Sequence, residues 1–269
     1  MVKEATVPGR RKGRLQSVKL LRKKRSRVIT GELEAEVRKR LEIKHSPEQI
    51  SLRLKTEGIQ VSHESIYGFI AEDKRQGGEL YKNLRINGKR CYHRRVKAGR
   101  TKILERVDID DRPKIVDQRA RYGDWEADLI EGSRGSGYIL SLYERKSGFG
   151  KLVKLASKSS QSTARALIEQ LEGYKVETIT YDNGLEFSGH LEVSRALRSK
   201  SYFCKTYHSW EKGGVENYNG LVRQYLPKGT SFTNLPAERL EEIEEEINQR
   251  PRKILDIKSP SELKHKLAA

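Results

Sequence analysis

Gly123-Asp124-Trp125-Glu126-Ala127-Asp128-Leu129-Ile130-Glu131 alternates acidic with apolar residues, the two-residue period of a strand with one face turned inward. The alternation puts Asp124, Glu126 and Asp128 on one side of that strand. A carboxylate in such a strand is costly to bury unless it is paired or bound to a metal, so at least one of the three asks for a partner. Asp128 is flanked by Ala127, Leu129 and Ile130, but parity alone does not separate it from the other two.

Two more β-rich runs follow, Tyr138 to Tyr143 and Phe149 to Leu155, separated by Gly-containing turns as in an antiparallel meander. The apolar spacing of Ala164, Leu167, Ile168 and Leu171 predicts a helix over Ser162 to Glu172. Val176 to Tyr181 reads as a fourth strand, His190 to Arg198 as a helix and Tyr202 to Lys205 as a fifth strand. Helices over about Val215 to Tyr225 and Ala237 to Gln249 complete an α/β pattern, the last with a Glu-rich solvated face. Two further acids stand at element ends. Asp182 closes the fourth strand before Asn183-Gly184, and Glu216 begins a helix after Lys212-Gly213-Gly214. Were the first and fourth strands neighbours, Asp128, Asp182 and Glu216 would converge. Clustered carboxylates repel one another, and a hard divalent cation relieves that repulsion while leaving positions open for water and phosphate. A pair of such ions activates an attacking hydroxyl and stabilises the leaving oxygen of a phosphodiester. The simpler alternatives are turn chemistry for Asp182 and a dipole-favoured helix start for Glu216.

The front of the chain has another character. Of the 269 residues, 55 are Lys or Arg and 37 Asp or Glu, a net charge of +18; residues 1–122 carry +17 of it and residues 123–269 only +1. Such a field concentrates phosphate, and nucleic acid is the commonest polyanion in a cell. Anionic membrane is the weaker rival: the run from Arg10 to Arg27 has no sustained apolar face, and no stretch approaches the length of a spanning helix. Residues 1–29 read as a flexible basic arm. Residues 30–72 carry three helix starts, with Ser46-Pro47-Glu48-Gln49 a capping box and Ser62 a further cap after Gly58. Two short helices around a Gly-containing turn have the shape of a helix-turn-helix, or of a purely structural αα-hairpin; the flanking charge favours the first and offers Ser62, His63 and Ser65 to a groove. Residues 73–118, with Arg94 and Arg95 among many cations, read as a basic linker that tracks phosphate, and residues 119–269 as the catalytic core. The two cysteines, Cys91 and Cys204, have no CxxC spacing and suggest no zinc site.

GDWEADLI (123–130), YDNGLEF (181–187) and WEKGGVENYNGLVRQYLPKGT (210–230), with 33 residues between Asp182 and Glu216, resemble the transposases of the insertion sequence 30 family, within the DDE transposase and retroviral integrase group. SPEQIS (46–51) and VSHESIY (61–67) are similar to that family's second helix-turn-helix. The resemblance implies an RNase H-like core, a mixed five-stranded sheet with flanking helices, in which Asp128, Asp182 and Glu216 hold Mg²⁺ or Mn²⁺. It implies cleavage at the ends of a mobile element and strand transfer into target DNA. It further implies double-stranded DNA as partner, both terminal inverted repeats and target, an assembly of at least two copies, and a place in the bacterial cytoplasm with the nucleoid. Asn219 and Arg223 share a helix face with Glu216, and with Lys212 they are expected to meet DNA. Family members carry another helix-turn-helix before Ser46, which this chain is expected to lack; a catalytically idle copy that binds DNA and regulates transposition is therefore the alternative. An RNase H-type nuclease shares the carboxylates but needs no helix-turn-helix.

Overall fold

A computed structural model of the chain describes residues 29–85, 103–205 and 208–269. The basic arm and the stretch holding Arg94 and Arg95 lie outside these residues, apart from the arm's last residue, Ile29.

Five strands form one mixed sheet in the order β3-β2-β1-β4-β5: β1 Asp124–Glu131, β2 Tyr138–Glu144, β3 Gly150–Leu155, β4 Thr178–Tyr181 and β5 Lys200–Phe203. β1, β2 and β3 are the expected antiparallel meander, with Asp128 opposite Ser141. β4 lies parallel to β1, with Trp125 opposite Ile179, and β5 parallel to β4. The first and fourth strands are thus neighbours, the arrangement that lets residues at their ends meet. This is the mixed five-stranded sheet of an RNase H-like core.

Helices cover both faces. Before the sheet come α1 Glu32–Glu42, α2 Pro47–Thr56, α3 His63–Arg75 and the single turn α4 Lys114–Asp117; between and after the strands come α5 Ser160–Leu171, α6 His190–Ala196, α7 Gly213–Val222 and α8 Ala237–Asn248. One face buries Trp125, Leu140, Leu142, Leu167, Leu171 and Phe203 with α5 and α6; the other packs Ile130, Ile139 and Leu152 against Val215, Tyr218 and Val222 of α7 and Leu240, Ile243 and Ile247 of α8. The apolar spacing of α8 leaves Glu238, Glu241 and Glu242 exposed, while Glu244 turns back to accept from the Leu152 N–H at 2.6 Å. Two glycines permit the close approach of α7. A Cβ on Gly150 would lie 2.2 Å from the Tyr218 ring, and one on Gly214 would lie 2.5 Å from Tyr143 and 2.8 Å from the Glu126 carboxylate.

Several boundaries differ from the sequence reading. β5 begins at Lys200 rather than Tyr202, because its ladder partners on β4 start at Thr178. The segment from Ile103 to Asp117 has little periodicity yet is held by the core: Ile103 joins the apolar cluster, and Phe203 donates its N–H to Val107 at 2.9 Å. Such contacts leave no periodic trace in sequence.

The front helices form their own cluster around Val37, Leu41, Ile50, Leu54, Ile66 and Ile70. Ser46 and Gln49 form the full reciprocal capping box, and Ser62 accepts from the Ser65 N–H to start α3. This module touches the end of the chain: Gln49 donates to the Pro251 carbonyl at 2.9 Å, and Lys253 pairs with Glu48 at 2.6 Å. His45 is buried nearby, 7% exposed, with neither ring nitrogen partnered. Burial, reinforced by Arg250, Arg40, Arg252 and Arg53, pushes its pKa down to about 4. His45 is therefore neutral in the fold, whereas in the unfolded chain it takes a proton near pH 6.5. Between those values the unfolded chain holds more protons, so stability falls as the pH drops from 7 towards 4. The expected loss is roughly 2 kcal/mol between about pH 7 and pH 5. Urea unfolding of the wild type and of His45→Phe at both pH values measures it, and the variant should lack this component.

Candidate active site

The three acids that share a side of β1 take three different partners. Asp124, fully buried, accepts from Arg121 at 3.0 Å and from the Thr178 hydroxyl at 2.7 Å. Glu126, also fully buried, is bonded by Arg145 and by the Val215 N–H at 2.7 Å, so it satisfies one of the free donors at the start of α7. Both are structural anchors. Asp128 alone turns to the end of β4, and geometry makes the choice that parity left open.

There Asp128 meets Asp182 through a shared cation. The Lys212 ammonium lies 3.2 Å from Asp128 Oδ1 and 3.5 Å from Asp182 Oδ2, and it also donates to the Ala127 carbonyl at 3.1 Å. Lys212 is only 4% exposed, although it stands at the N-cap of α7, where the sequence suggested a cation facing DNA. Burial opposes its charge, but Asp128 and Asp182 hold its pKa above the ordinary lysine value. Burial pushes the Asp128 carboxyl upward; Lys212 pulls it back, and the Asp182 carboxylate adds to the rise. Asp182 is steadied by the Gly184 N–H at 2.9 Å, the local turn bond that Asp before Asn-Gly favours.

Asn219 donates to Asp128 Oδ2 at 2.7 Å, while its own Oδ1 is buried without a partner. Glu216 lies between Lys212 and Asn219 on the same face of α7, four residues after one and three before the other. It is exposed, and among the described residues no group of three His, Cys, Asp or Glu is gathered closely enough to hold a metal ion as the chain stands. The structure thus brings Asp128, Asp182, Lys212 and Asn219 together and places Glu216 beside them on the helix. Arg223, one turn further, donates to the Glu131 carbonyl at 2.8 Å and the Leu226 carbonyl at 3.3 Å, and burial lowers its pKa. Ser62 and His63 stand exposed at the start of α3, with Ser65 half-buried behind them.

A fourth acid escaped the sequence reading. Glu186 stands in the turn after β4, and burial raises its carboxyl pKa, with the charges of Asp182 and Asp128 adding to the rise. Its place four residues after Asp182 in YDNGLEF was the available signal. Two carboxylates aiming oxygens at one positive centre, with an unpartnered amide oxygen beside them, have the donor chemistry of a hard cation site, and Lys212 stands where such a cation would sit.

Comparisons with known proteins give the chain its family. The chain is 45% identical over 244 residues to the transposase for insertion sequence element IS4351 of Bacteroides fragilis, covering 89% of this chain and 75% of that one. It is 36% identical over 263 residues to the transposase for insertion sequence element IS1086 of Cupriavidus metallidurans, covering 91% and 77%. It is 32% identical over 241 residues to transposase InsI for insertion sequence element IS30A of Escherichia coli, covering 84% and 63%. The chain belongs to the insertion sequence 30 family of transposases. No protein-family model matches it. Among solved structures it is similar to the catalytic core domain of BIV integrase, with a TM-score of 0.41 at 17% identity, covering 52% of this chain and 91% of that one.

The Lys212 contacts carry a stability expectation. Lys212→Met leaves two carboxylates facing each other and should destabilise the chain by roughly 3 kcal/mol, the lower end of the range for breaking a buried pair, because Asp182 is half-exposed. Millimolar Mg²⁺ should restore part of that loss, and urea unfolding with and without the ion measures both effects.

Proposed function

We propose that this chain cuts DNA at the ends of a mobile element and joins the freed 3′ ends to target DNA, by metal-dependent phosphoryl transfer at Asp128, Asp182 and Glu216. The observation that carries this reading is the convergence of Asp128 and Asp182, from neighbouring parallel strands, on a single buried positive charge. Transposition and DNA integration are the activities named by its relatives.

In this reading Asp128 and Asp182 hold Mg²⁺ or Mn²⁺ where Lys212 now sits, and Glu216 closes the set from α7. The bound ions would polarise the attacking hydroxyl and stabilise the leaving oxygen. The chain's own residues do the positioning. Glu126 and Gly214 fix the start of α7 against the sheet, Asn219 fixes the rotamer of Asp128, and Glu186 adds negative charge that favours a cation over the empty pair. Lys212, once parted from the two carboxylates, supplies a positive group to the phosphate, with Arg223 about three turns further along the same face.

The remaining parts serve DNA in the same reading. Residues 30–72 act as a helix-turn-helix that sets Ser62, His63 and Ser65 against a groove, residues 1–29 and the stretch with Arg94 and Arg95 follow phosphate, and residues 119–269, with the segment from Ile103 to Asp117 held against them, are the catalytic unit. Joining two element ends calls for at least two copies. Among the described residues no helix is long and apolar enough to cross a membrane.

The test is strand cleavage, in Mg²⁺ and in Mn²⁺, of a DNA fragment carrying the gene's own flanking ends. Glu216→Gln and Asp128→Asn should each lower cleavage by about a thousandfold or more while DNA binding persists. Binding without cleavage by the wild type would instead support a DNA-bound regulator.

A further inference from the structure

We propose that the cleft between the front helical module and the core, alongside α7, is a second DNA site, one that holds the phosphodiester backbone of the strand approaching Glu216. This rests on the transposase reading and adds a place of contact that neither the carboxylates nor the helix-turn-helix supplies.

The cleft is a cavity of about 470 Å³, lined by Lys44, Arg85, Arg119, Arg250, Arg252 and Lys253, with Glu48 its one acidic lining residue. Lys44, Arg85 and Gln224 also line an adjoining cavity of about 250 Å³ that reaches Arg223 and Lys82, so the two make one trench. The trench runs along a single face of α7, since Gly213, Asn217, Gly220 and Gln224 line it at helical spacing. That face adjoins the one bearing Glu216. Gly213 and Gly220 carry no side chains there, which leaves the helix surface low enough for a sugar-phosphate chain to lie against it.

The charge in the trench is unbalanced. Arg250 is 2% exposed; it donates to Gln224 Oε1 at 2.7 Å and to the Tyr225 hydroxyl at 2.6 Å, and its Nε is buried without a partner. Among the described residues Arg252 reaches the Ile247 carbonyl, at 3.2 Å. Among the described residues no carboxylate lies within ion-pair distance of Arg119, Arg250 or Arg252. Lys44 and Arg250 both lie over the Tyr225 ring, at 5.2 and 5.5 Å, a packing that holds two like charges side by side. Burying cations without counter-charge is costly, and a protein retains them where an anion completes the site. Burial, reinforced by the same field, keeps His45 neutral, and burial with Arg250 and Arg85 nearby lowers the Arg252 pKa. A lone phosphate would answer one or two of these cations, whereas a row of them along two joined cavities matches the repeating charge of a nucleic-acid strand.

The experiment measures binding of the full chain to labelled DNA carrying the flanking ends, by fluorescence anisotropy from about 50 to 200 mM salt. Two substitutions probe the trench. Arg119→Gln removes a half-exposed cation, and Gln224→Glu gives Arg250 a half-buried acidic partner, so it should hold or raise thermal stability. Each should lower the slope of log affinity against log salt by about one and weaken binding about tenfold, equally on duplexes of unrelated sequence. Arg165→Gln, on α5 across the sheet, serves as control and should leave the slope unchanged. Wild-type slope and affinity in both trench variants would overturn the inference while leaving the transposase reading intact. A wild-type chain with no salt-dependent DNA binding would overturn both. If Gln224→Glu gains stability and loses DNA together, a merely structural role for Arg250 is excluded.

Discussion

The contact on which the site depends is the Lys212 ammonium between Asp128 and Asp182. Removing an ammonium and two carboxylates from water costs several kcal/mol for each fully buried ion, and close mutual attraction is what offsets the cost. That contact joins three elements with little else in common: the middle of β1, the end of β4 and the start of α7. Glu126 makes the same junction from one pleat earlier, by accepting from Val215. The side of β1 that carries Asp124, Glu126 and Asp128 is thus a row of electrostatic anchors, each sharing a cation with a second acid: Arg121 with Glu177, Arg145 with Asp117, and Lys212 with Asp182. Gly214 is the steric condition for all of it, because any side chain there would meet Tyr143 and Glu126.

A charge balance this local gives the fold a built-in preference for a cation at one point. With Lys212 in place the pair is satisfied from within the chain, and a divalent ion has to compete with it. In the metal-dependent reading proposed for the site, Glu186 and the unpartnered Asn219 oxygen would tilt that competition, since both gain from added positive charge nearby. The opposite imbalance exists on the far side of α7, where Arg119, Arg250 and Arg252 line a trench in which Glu48, paired with Lys253, is the one acidic residue. One helix therefore separates a place poor in positive charge from one rich in it, the division that a phosphodiester, with metal at its reacting oxygens and cations along its backbone, would require.

Much of this was legible in the residues. The strand meander, the capping box at Ser46 and the cap at Ser62 follow from local chemistry, and the structure reproduces them. Asp128 and Asp182 stood out because an acid in an apolar strand and an acid before Asn-Gly each leave a local mark. The partners did not. Nothing in the spacing says that Lys212 turns inward, because its neighbours Gly213 and Gly214 reveal only that the backbone approaches something closely. Glu126 and Asp128 have the same parity, and only the position of α7 tells them apart. Arg250 and Arg252 lie at the end of α8 in a stretch with no helical period, and their meaning depends on the front module packing against them across some 200 residues of sequence.

The most direct test is a crystal of this chain soaked in Mn²⁺ and measured by anomalous scattering. The account predicts an anomalous peak between Asp128 and Asp182, with the Lys212 ammonium displaced from both carboxylates. Lys212 remaining between them at saturating Mn²⁺, with the metal bound elsewhere or nowhere, would contradict it.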